Sequence, residues 1–317
     1  MAAEQAVQLD EALWGAIQTL EPELVRRALA AGADPDGRHY NELPLTFLCR
    51  KACQLAENIL ATEGTNPDPV ACLAVLLEYV SSPNLVPVTV EHHFCPPLYY
   101  AAQQNRFPEL VSLLIEAGAD VNIAMIHAEG ELYPFHGATP LHMAVYQGTV
   151  QMVKELLAAG AAVDARRGPR RCTALHKAAN CGRRGYGPDP EYTNFVRETI
   201  EMIKILLAAG ADVNARDSSG RTPLAESIDE NAMGEVDLSC VYSVLLRAGA
   251  TLPPYVPDDE GDEEDPYLHK VRRAGGFRQY EAQVTKSLAA IFEPKFPKLP
   301  AEVIRTIVAF WAHVGDY

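Results

Sequence analysis

Two stretches of the chain carry side chains of the kinds that metal or phosphate sites use. Glu91-His92-His93 and Cys95 offer metal ligands, but no second ligand pair follows at the spacing of a zinc site. The stretch from Gly182 to Gly187 is rich in glycine, yet it follows no strand pattern and lacks the Gly-Lys-Ser/Thr ending of a phosphate-binding loop. A nucleophile elbow and a His-Glu-x-x-His motif are also absent from the sequence. The sequence therefore predicts a protein that is not an enzyme and needs no cofactor or metal.

An arginine cluster is the charged feature that points to a partner. Its members are Arg166, Arg167, Arg170 and Arg171. The whole chain is acidic, with 42 Asp and Glu against 27 Lys and Arg and a net charge of −15, which argues against general attraction to nucleic acid or an anionic membrane. Because guanidinium groups prefer carboxylates, the cluster indicates a dock for an acidic segment of a partner protein. The alternatives are a solvated finger, or one neutralised by the chain's own acidic run 258–265.

The arginines lie in a chain of repeated helix pairs. In the clearest unit, from Thr139 to Asp164, Thr139 can cap a first helix and Pro140 suits its first turn. Gly148 and Gly160 then supply the turns that end the two helices. The glycine that closes such a unit recurs between small residues at Gly32, Gly118, Gly160, Gly210 and Gly249. Neither helix of a unit can bury its apolar side alone, so the pattern predicts stacking of successive units.

Two motifs carry a resemblance to the ankyrin-repeat family: Thr139-Pro140-Leu141-His142 and Gly210-Ala211-Asp212-Val213-Asn214. The resemblance covers about residues 8–253. It implies an all-α fold, an ankyrin-repeat solenoid of about six helix-pair units with hairpin fingers, and we expect a C-terminal helical extension beyond it. It also implies that His142 and His176 bond to the backbone of neighbouring repeats.

The spacing of the repeats predicts three regions. An array would occupy residues 1–253, an acidic linker 254–266, and a C-terminal helical cap 267–317. Within the array, the clearest units are 91–123, 134–165 and 170–216, and degenerate units fall at about 8–36, 40–88 and 217–253. Surplus length relative to the repeat period predicts exposed insertions at 51–67 and 183–199.

The resemblance implies that the chain binds one or more partner proteins on its concave and finger surface, as a monomer. The predicted contact residues are Tyr133, Phe135, His136, Tyr146, Arg166, Arg167, Arg170 and Arg171. Aromatic and arginine side chains are the usual anchors of such interfaces. Asn122 and Asn214 match the position at which asparaginyl hydroxylation is known in ankyrin proteins, with a simple turn role as the alternative.

The C-terminal segment has two interpretations. Leu299 to Val308 resembles the core of an F-box and the second half of a SOCS box, either of which would make the chain an adaptor that recruits substrates to a cullin ubiquitin ligase. A SOCS box, however, wants a cysteine where Phe292 stands. The other interpretation is a structural cap, in which the apolar residues of the tail cover the last repeat.

The cysteines and the N-terminal residues indicate the cellular compartment of the protein. The seven cysteines are an odd number without a CxxC pair, which is typical of reduced thiols in a cytoplasmic or nuclear protein. Residues 1–10 lack the basic and apolar segments of a signal peptide, and no run of 18 apolar residues predicts a membrane span.

Overall fold

The computed structural model describes residues 2–38, 42–57, 67–84, 95–126, 133–180, 190–231, 239–254, 265–295, 299–300 and 302–304. Within these residues the regular structure is helical. The α-helices are α1 (Ala2–Thr19), α2 (Pro22–Ala30), α3 (Pro44–Glu57), α4 (Pro69–Leu77), α5 (Pro97–Ala102), α6 (Glu109–Glu116), α7 (Pro140–Gln147), α8 (Val150–Ala158), α9 (Ala174–Ala179), α10 (Pro190–Ala208), α11 (Pro223–Asn231), α12 (Ser239–Arg247), α13 (Pro266–Arg273) and α14 (Phe277–Phe292). A 3₁₀ turn at Glu293–Lys295 follows α14.

The helices form two parallel rows. The first helices of successive pairs, α1, α3, α5, α7, α9 and α11, each contact the next in that order. In the second row α2 contacts α4, α4 contacts α6, α8 contacts α10, and α10 contacts α12. One continuous core of apolar side chains lies between the rows, from Leu13 in α1 to Val271 in α13. The all-α solenoid of stacked helix pairs that the sequence predicts is confirmed.

Proline and glycine set the helix ends. Eight of the fourteen helices begin with proline, which loses no hydrogen bond at a position whose N–H has no intrahelical partner. The turn after a second helix is made by a glycine in the left-handed region, for example Gly160 at φ 90° and Gly210 at φ 92°. The segments that lead to the next first helix follow these turns in the chain.

Asparagine side chains join successive turns. The amide of Asn122 donates to the carbonyl of Gly160 at 3.2 Å and accepts from the N–H of Ala162 at 2.7 Å. Asn214 bridges the next turn in the same way, to Gly249 and Thr251, at 3.1 and 2.7 Å. The turn role is therefore real at both asparagines, and their hydroxylation stays a prediction.

Both predicted insertions are partly helical. Helix α3 runs to Glu57, so the insertion at 51–67 begins as helix, and residues 58–66 lie outside the described part. The expectation that 183–199 forms a loop is wrong from residue 190 onward, because α10 begins at Pro190. Thr199, Ile200 and Ile203 are buried in the part of this helix that corresponds to α8 in the preceding unit. Residues 181–189 are not described.

The chain after the sixth helix pair continues the stack. The sequence predicts a helix at α14 but not the shorter α13, whose N-terminus is capped by the Asp265 carboxylate through the N–H groups of Tyr267 and Leu268. Helix α14 contacts α12 and α13, so it extends the second row. Of the predicted last apolar stripe, Ile304 is 3% exposed and Val303 41%, while residues 305–317 lie outside the described part. None of the described helices is long and apolar enough to cross a membrane.

Candidate partner-binding surface

Three fingers carry most of the residues that the sequence singled out. They comprise residues 133–138, 165–173 and 215–222, and each leads into a first helix, α7, α9 or α11. In the middle finger, Arg167 and Cys172 exchange both backbone hydrogen bonds, at 3.0 and 3.1 Å. The four-residue turn between them is tight, with Gly168 at φ 63° and Arg171 at φ 52°. The arginine cluster therefore lies on a defined hairpin.

Backbone hydrogen bonds connect each finger to its neighbour. The N–H of Gly168 donates to the carbonyl of His136 at 2.6 Å, and the N–H of Ser218 donates to that of Arg170 at 2.8 Å. Arginine side chains add to these links, since Arg167 Nη1 donates to the Pro134 carbonyl at 3.2 Å and Arg166 Nη1 to the Arg216 carbonyl at 2.6 Å. The three fingers therefore form one preformed surface, which lowers the entropic cost of binding a partner.

A cavity of about 380 Å³ opens between these fingers and the first helices. Four of the predicted contact residues line it, namely Phe135, Tyr146, Arg167 and Arg170. The other lining residues are Pro134, Gly168, Pro169, Cys172, Lys177, Asn180 and Glu226. The predicted residues Tyr133, His136, Arg166 and Arg171 lie on the fingers but do not line the cavity.

Aromatic rings form one wall of the cavity. The ring of Phe135 meets the Tyr146 ring edge to face at 5.8 Å, and it also lies 6.1 Å from the ring of Tyr133, which is outside the cavity lining. Two cations cover these rings: the Arg167 guanidinium lies 5.1 Å from the centre of Phe135, and the Lys177 ammonium 5.2 Å from that of Tyr146. This wall can bury apolar side-chain carbons while it presents positive charge to a ligand.

Arg170 is neutralised within the fold. Its Nη2 lies 3.1 Å from Glu226 Oε1 and 3.4 Å from Asp217 Oδ2, and the side chains of these two acids are 5% and 0% exposed. Asn180 Nδ2 also donates to Glu226 Oε1, at 3.1 Å. Burial lowers the pKa of Arg170, but the two carboxylates outweigh it and the pKa is raised. Arg170 therefore stabilises two buried anions. One alternative from the sequence was that the acidic run 258–265 neutralises the arginine cluster; at Arg170 the neutralising carboxylates are those of Asp217 and Glu226.

Arg167 has no such counter-ion in the described part of the chain. Among the described residues, no carboxylate lies within ion-pairing distance of its guanidinium, whose contacts are the Pro134 carbonyl and the ring of Phe135. Its Nε is buried without a hydrogen-bond partner. Burial lowers the pKa of Arg167, and nearby groups such as Cys172 only partly oppose this. Arg166 and Arg171, in contrast, are exposed at the rim.

One cluster in the described part has metal-ligating side chains. The ligand atoms of Cys172, Asp217 and Glu226 lie within 4.8 Å of one another. The Arg170 guanidinium already contacts both carboxylates, and burial raises the pKa of the Cys172 thiol to about 11, which keeps it protonated. The cation that this cluster binds is therefore an arginine. Of the metal-like stretch at 91–95, only Cys95 is described.

The two motif histidines are structural. Thr139 and His142 form a reciprocal cap, in which His142 Nδ1 accepts from the Thr139 N–H at 3.3 Å. Thr173 and His176 repeat this cap, and His176 Nε2 lies 3.1 Å from the carbonyl of Arg221 in the next finger. Since Nδ1 accepts a backbone N–H, Nε2 carries the proton and donates to that carbonyl. The expected bond to a neighbouring repeat is thus present at His176. At His142 the expectation is wrong, because its buried Nε2 has no hydrogen-bond partner among the described residues.

Comparison with known proteins agrees with this geometry. A model of three-copy ankyrin repeats matches residues 98–186, and a single ankyrin-repeat model matches residues 170–218. Residues 98–218 therefore consist of ankyrin repeats. Among solved structures it is similar to the ankyrin repeat domain of Bcl-3, described as a unique member of the IkappaB protein family, with 23% identity and a TM-score of 0.46 over 67% of this chain and 75% of the other. The comparison with curated proteins returned no significant match.

Four residues of this surface were not predicted from the sequence. Asp217, Lys177, Asn180 and Glu226 complete the surface, and they come from a finger and two first helices. Glu226 lies in the first helix of the unit at 217–253, which the sequence predicts only to be degenerate, and its side chain is the buried partner of Arg170.

Proposed function

We propose that the chain is a non-catalytic scaffold that binds an acidic segment of a partner protein on the finger surface, defined as the three fingers and the cavity they enclose. Ankyrin repeats are protein-interaction modules, and the preformed finger surface offers both an aromatic wall and exposed cations. The chain would act as a monomer. Its specificity would depend on these surface side chains rather than on the fold.

The charge of the finger surface carries this proposal. It holds seven cationic residues, which are Arg166, Arg167, Arg170, Arg171, Lys177, Arg216 and Arg221, and two carboxylates, Asp217 and Glu226. The chain as a whole has a net charge of −15. The acidic remainder of the surface repels other acidic proteins. The basic patch attracts an acidic segment and steers it to the fingers.

Capture of partners by matched variants tests the proposal. The finger variant carries Arg166→Ser and Arg171→Asn, two exposed positions, and asparagine tolerates the positive φ of residue 171. The control carries Lys154→Ser and Arg197→Ser on exposed parts of second helices, with the same change in net charge. We expect cross-linked proteins with acidic segments to be recovered by the wild type and the control and depleted about tenfold by the finger variant. Equal recovery by all three would refute the proposal.

The cullin-adaptor function is the alternative, and exposed apolar residues favour it. Ile291, Leu299 and Val303 are 55%, 41% and 41% exposed beyond the part of α14 that covers α12. A recruitment helix needs such side chains. Co-purification of a cullin with the full chain, lost on truncation after Lys295, would support this alternative, and its absence would leave the scaffold function alone.

We also propose a reducing compartment, the cytoplasm or the nucleus. The six described cysteines form no disulfide with one another, although Cys49 and Cys53 lie one helical turn apart on α3. Burial raises the pKa of Cys49, so that thiol is inert. A fluorescent fusion found in a secretory compartment would refute this proposal.

A further inference from the structure

We infer that the cavity beside Arg167 takes a carboxylate side chain of the partner's acidic segment, and that Arg167 is the residue that pairs with it. This inference rests on the proposed function, which places an acidic segment on the finger surface. It adds where one carboxylate is seated and which of the cationic residues recognises it.

The first argument is the missing counter-ion. A guanidinium that is largely removed from water is costly unless an anion accompanies it. The Arg167 guanidinium contacts a carbonyl and an aromatic ring, and within the described part of the chain no carboxylate lies within ion-pairing distance of it. Glu226 attracts it from farther away, but burial outweighs that attraction and the pKa of Arg167 is lowered. It also lines an open cavity. A ligand carboxylate in that cavity would supply the anion that the fold does not.

The second argument is the contrast with Arg170, which lines the same cavity. Arg170 already contacts the carboxylates of Asp217 and Glu226. Both of those acids also accept hydrogen bonds from other groups, such as Asn180 Nδ2 on Glu226 and the Arg221 N–H on Asp217. Arg170 is thus committed to the fold, whereas the charge of Arg167 remains to be balanced.

The third argument concerns what else the cavity could hold. A cationic side chain would approach Arg167, Arg170 and Lys177 together, and an apolar one would leave Arg167 without an anion. A glutamate fits both requirements, because its methylene groups can lie against Phe135 and Tyr146 while its carboxylate reaches the guanidinium. The volume of about 380 Å³ holds such a side chain with its neighbouring backbone.

Binding of fluorescein-labelled hexaglutamate at low salt tests the inference. Arg167→Met keeps most of the side-chain volume and removes the charge. We expect hexaglutamate to bind the wild type, and its affinity to fall at least tenfold in Arg167→Met while the unfolding midpoint stays equal or rises, because a partly buried charge without a paired carboxylate has been removed. Lys154→Met, with the same charge change on α8, should bind within twofold of the wild type.

The outcomes separate the inference from alternatives. Retained affinity in Arg167→Met would overturn it, even if the finger variant lost binding and the proposed function stood. Loss of both stability and affinity in Arg167→Met would show that Arg167 is structural and would also overturn it. If a phosphoserine peptide bound more tightly than hexaglutamate through Arg167, the group that Arg167 recognises would be a phosphoryl group, and the assignment of a carboxylate would be overturned.

A measurement on the wild type does not depend on any variant. The Cys172 thiol lines the cavity and is partly exposed, so a bound side chain should shield it from alkylation. We expect saturating hexaglutamate to slow the labelling of Cys172 at least fivefold and to leave that of Cys240 on α12 unchanged. Hexalysine should have no effect. Unprotected Cys172 at saturation would refute the seating of the carboxylate in this cavity.

Discussion

At the scale of single residues, an asparagine side chain after the turn adds two hydrogen bonds between successive repeats. Asn122 and Asn214 each donate to one backbone carbonyl and accept one backbone N–H of the next unit. Asp164 stands at the same position in the intervening unit and accepts from the N–H of Asp212 at 3.1 Å. A carboxylate has no N–H, so it offers nothing to the carbonyl of Gly210. This junction therefore has one hydrogen bond fewer.

Asp164→Asn should strengthen that junction. The new amide can donate to the Gly210 carbonyl, and we expect the free energy of unfolding to rise by about 0.5–1 kcal/mol. Urea denaturation of the purified protein measures the difference. Asn122→Asp is the matched control and should lower stability by a similar amount. A stability of Asp164→Asn at or below the wild type would contradict the prediction.

The buried histidines make stability depend on pH. Burial, with a smaller effect of Arg167, lowers the pKa of His142 to about 3. In the unfolded chain the pKa is about 6.5, so stability is complete above that pH and falls as the pH drops from 6.5 towards 3. The loss from His142 alone is about 2 kcal/mol at pH 5. The lowered pKa of His176 adds to it.

His142→Gln should flatten this dependence. Glutamine at the third helical position can still accept from the Thr139 N–H, as in a capping box, but it does not titrate. We expect the difference in unfolding free energy between pH 7 and pH 5 to shrink by about 2 kcal/mol, with a remainder due to His176. An unchanged slope would show that other groups dominate acid unfolding.

At the scale of elements, the finger contact depends on a glycine. Gly168 has φ 63° and its N–H donates to His136. A Cβ at this position would lie 2.5 Å from the carbonyl oxygen of Pro134. Only glycine allows the two fingers to approach so closely.

Gly168→Ala should separate these fingers. We expect it to lower the free energy of unfolding by about 2–3 kcal/mol, because a steric clash adds to the strain of the left-handed conformation. Gly220→Ala is the control: Gly220 has φ 79° but open space around it, so its cost should be about 1 kcal/mol. Thermal and urea denaturation measure both. Equal costs would mean that the contact with Pro134 contributes nothing.

These elements also show what the sequence could predict. The repeat period and the recurring glycines, such as Gly160 and Gly210, are local signals, and they predicted the helix pairs and the position of the arginine finger. The ion pair of Arg170 with Glu226 joins residues far apart in sequence, and no local period reports it. The early start of α10 at Pro190 was missed because glycine and proline density outweighed the helical spacing of the residues that follow.

At the scale of the whole molecule, the charge is divided between surfaces. The chain carries a net charge of −15, yet the finger surface is basic. The two buried carboxylates on that surface form ion pairs with Arg170. The division matches a scaffold that attracts one kind of partner on one surface. The proposed association with an acidic segment would weaken as ionic strength rises, since exposed charges such as Arg166 and Arg171 are screened by salt.

The end of the stack is covered by α13 and α14. Tyr242 on α12 is fully buried, and its ring lies 6.4 Å from that of Tyr267, which meets Tyr280 edge to face at 5.6 Å. Arg247 adds an ion pair to Glu281 at 3.1 Å. A terminal repeat would otherwise expose one side of its helix pair, so α13 and α14 cap the array through these contacts.

Truncation after Asp265 should therefore loosen the last repeat. Exposure of Tyr242 alone forfeits about 1.5–3 kcal/mol of burial, and repeats are stabilised chiefly by their neighbours. We expect amide-exchange protection to fall at 222–231 and 239–250 while α5 to α8 keep theirs. Truncation after Lys295, which retains α13 and α14, should leave protection intact. If both truncations leave protection at 239–250 unchanged, α13 and α14 do not stabilise the array, and the whole C-terminal segment becomes available for recruitment of a ligase.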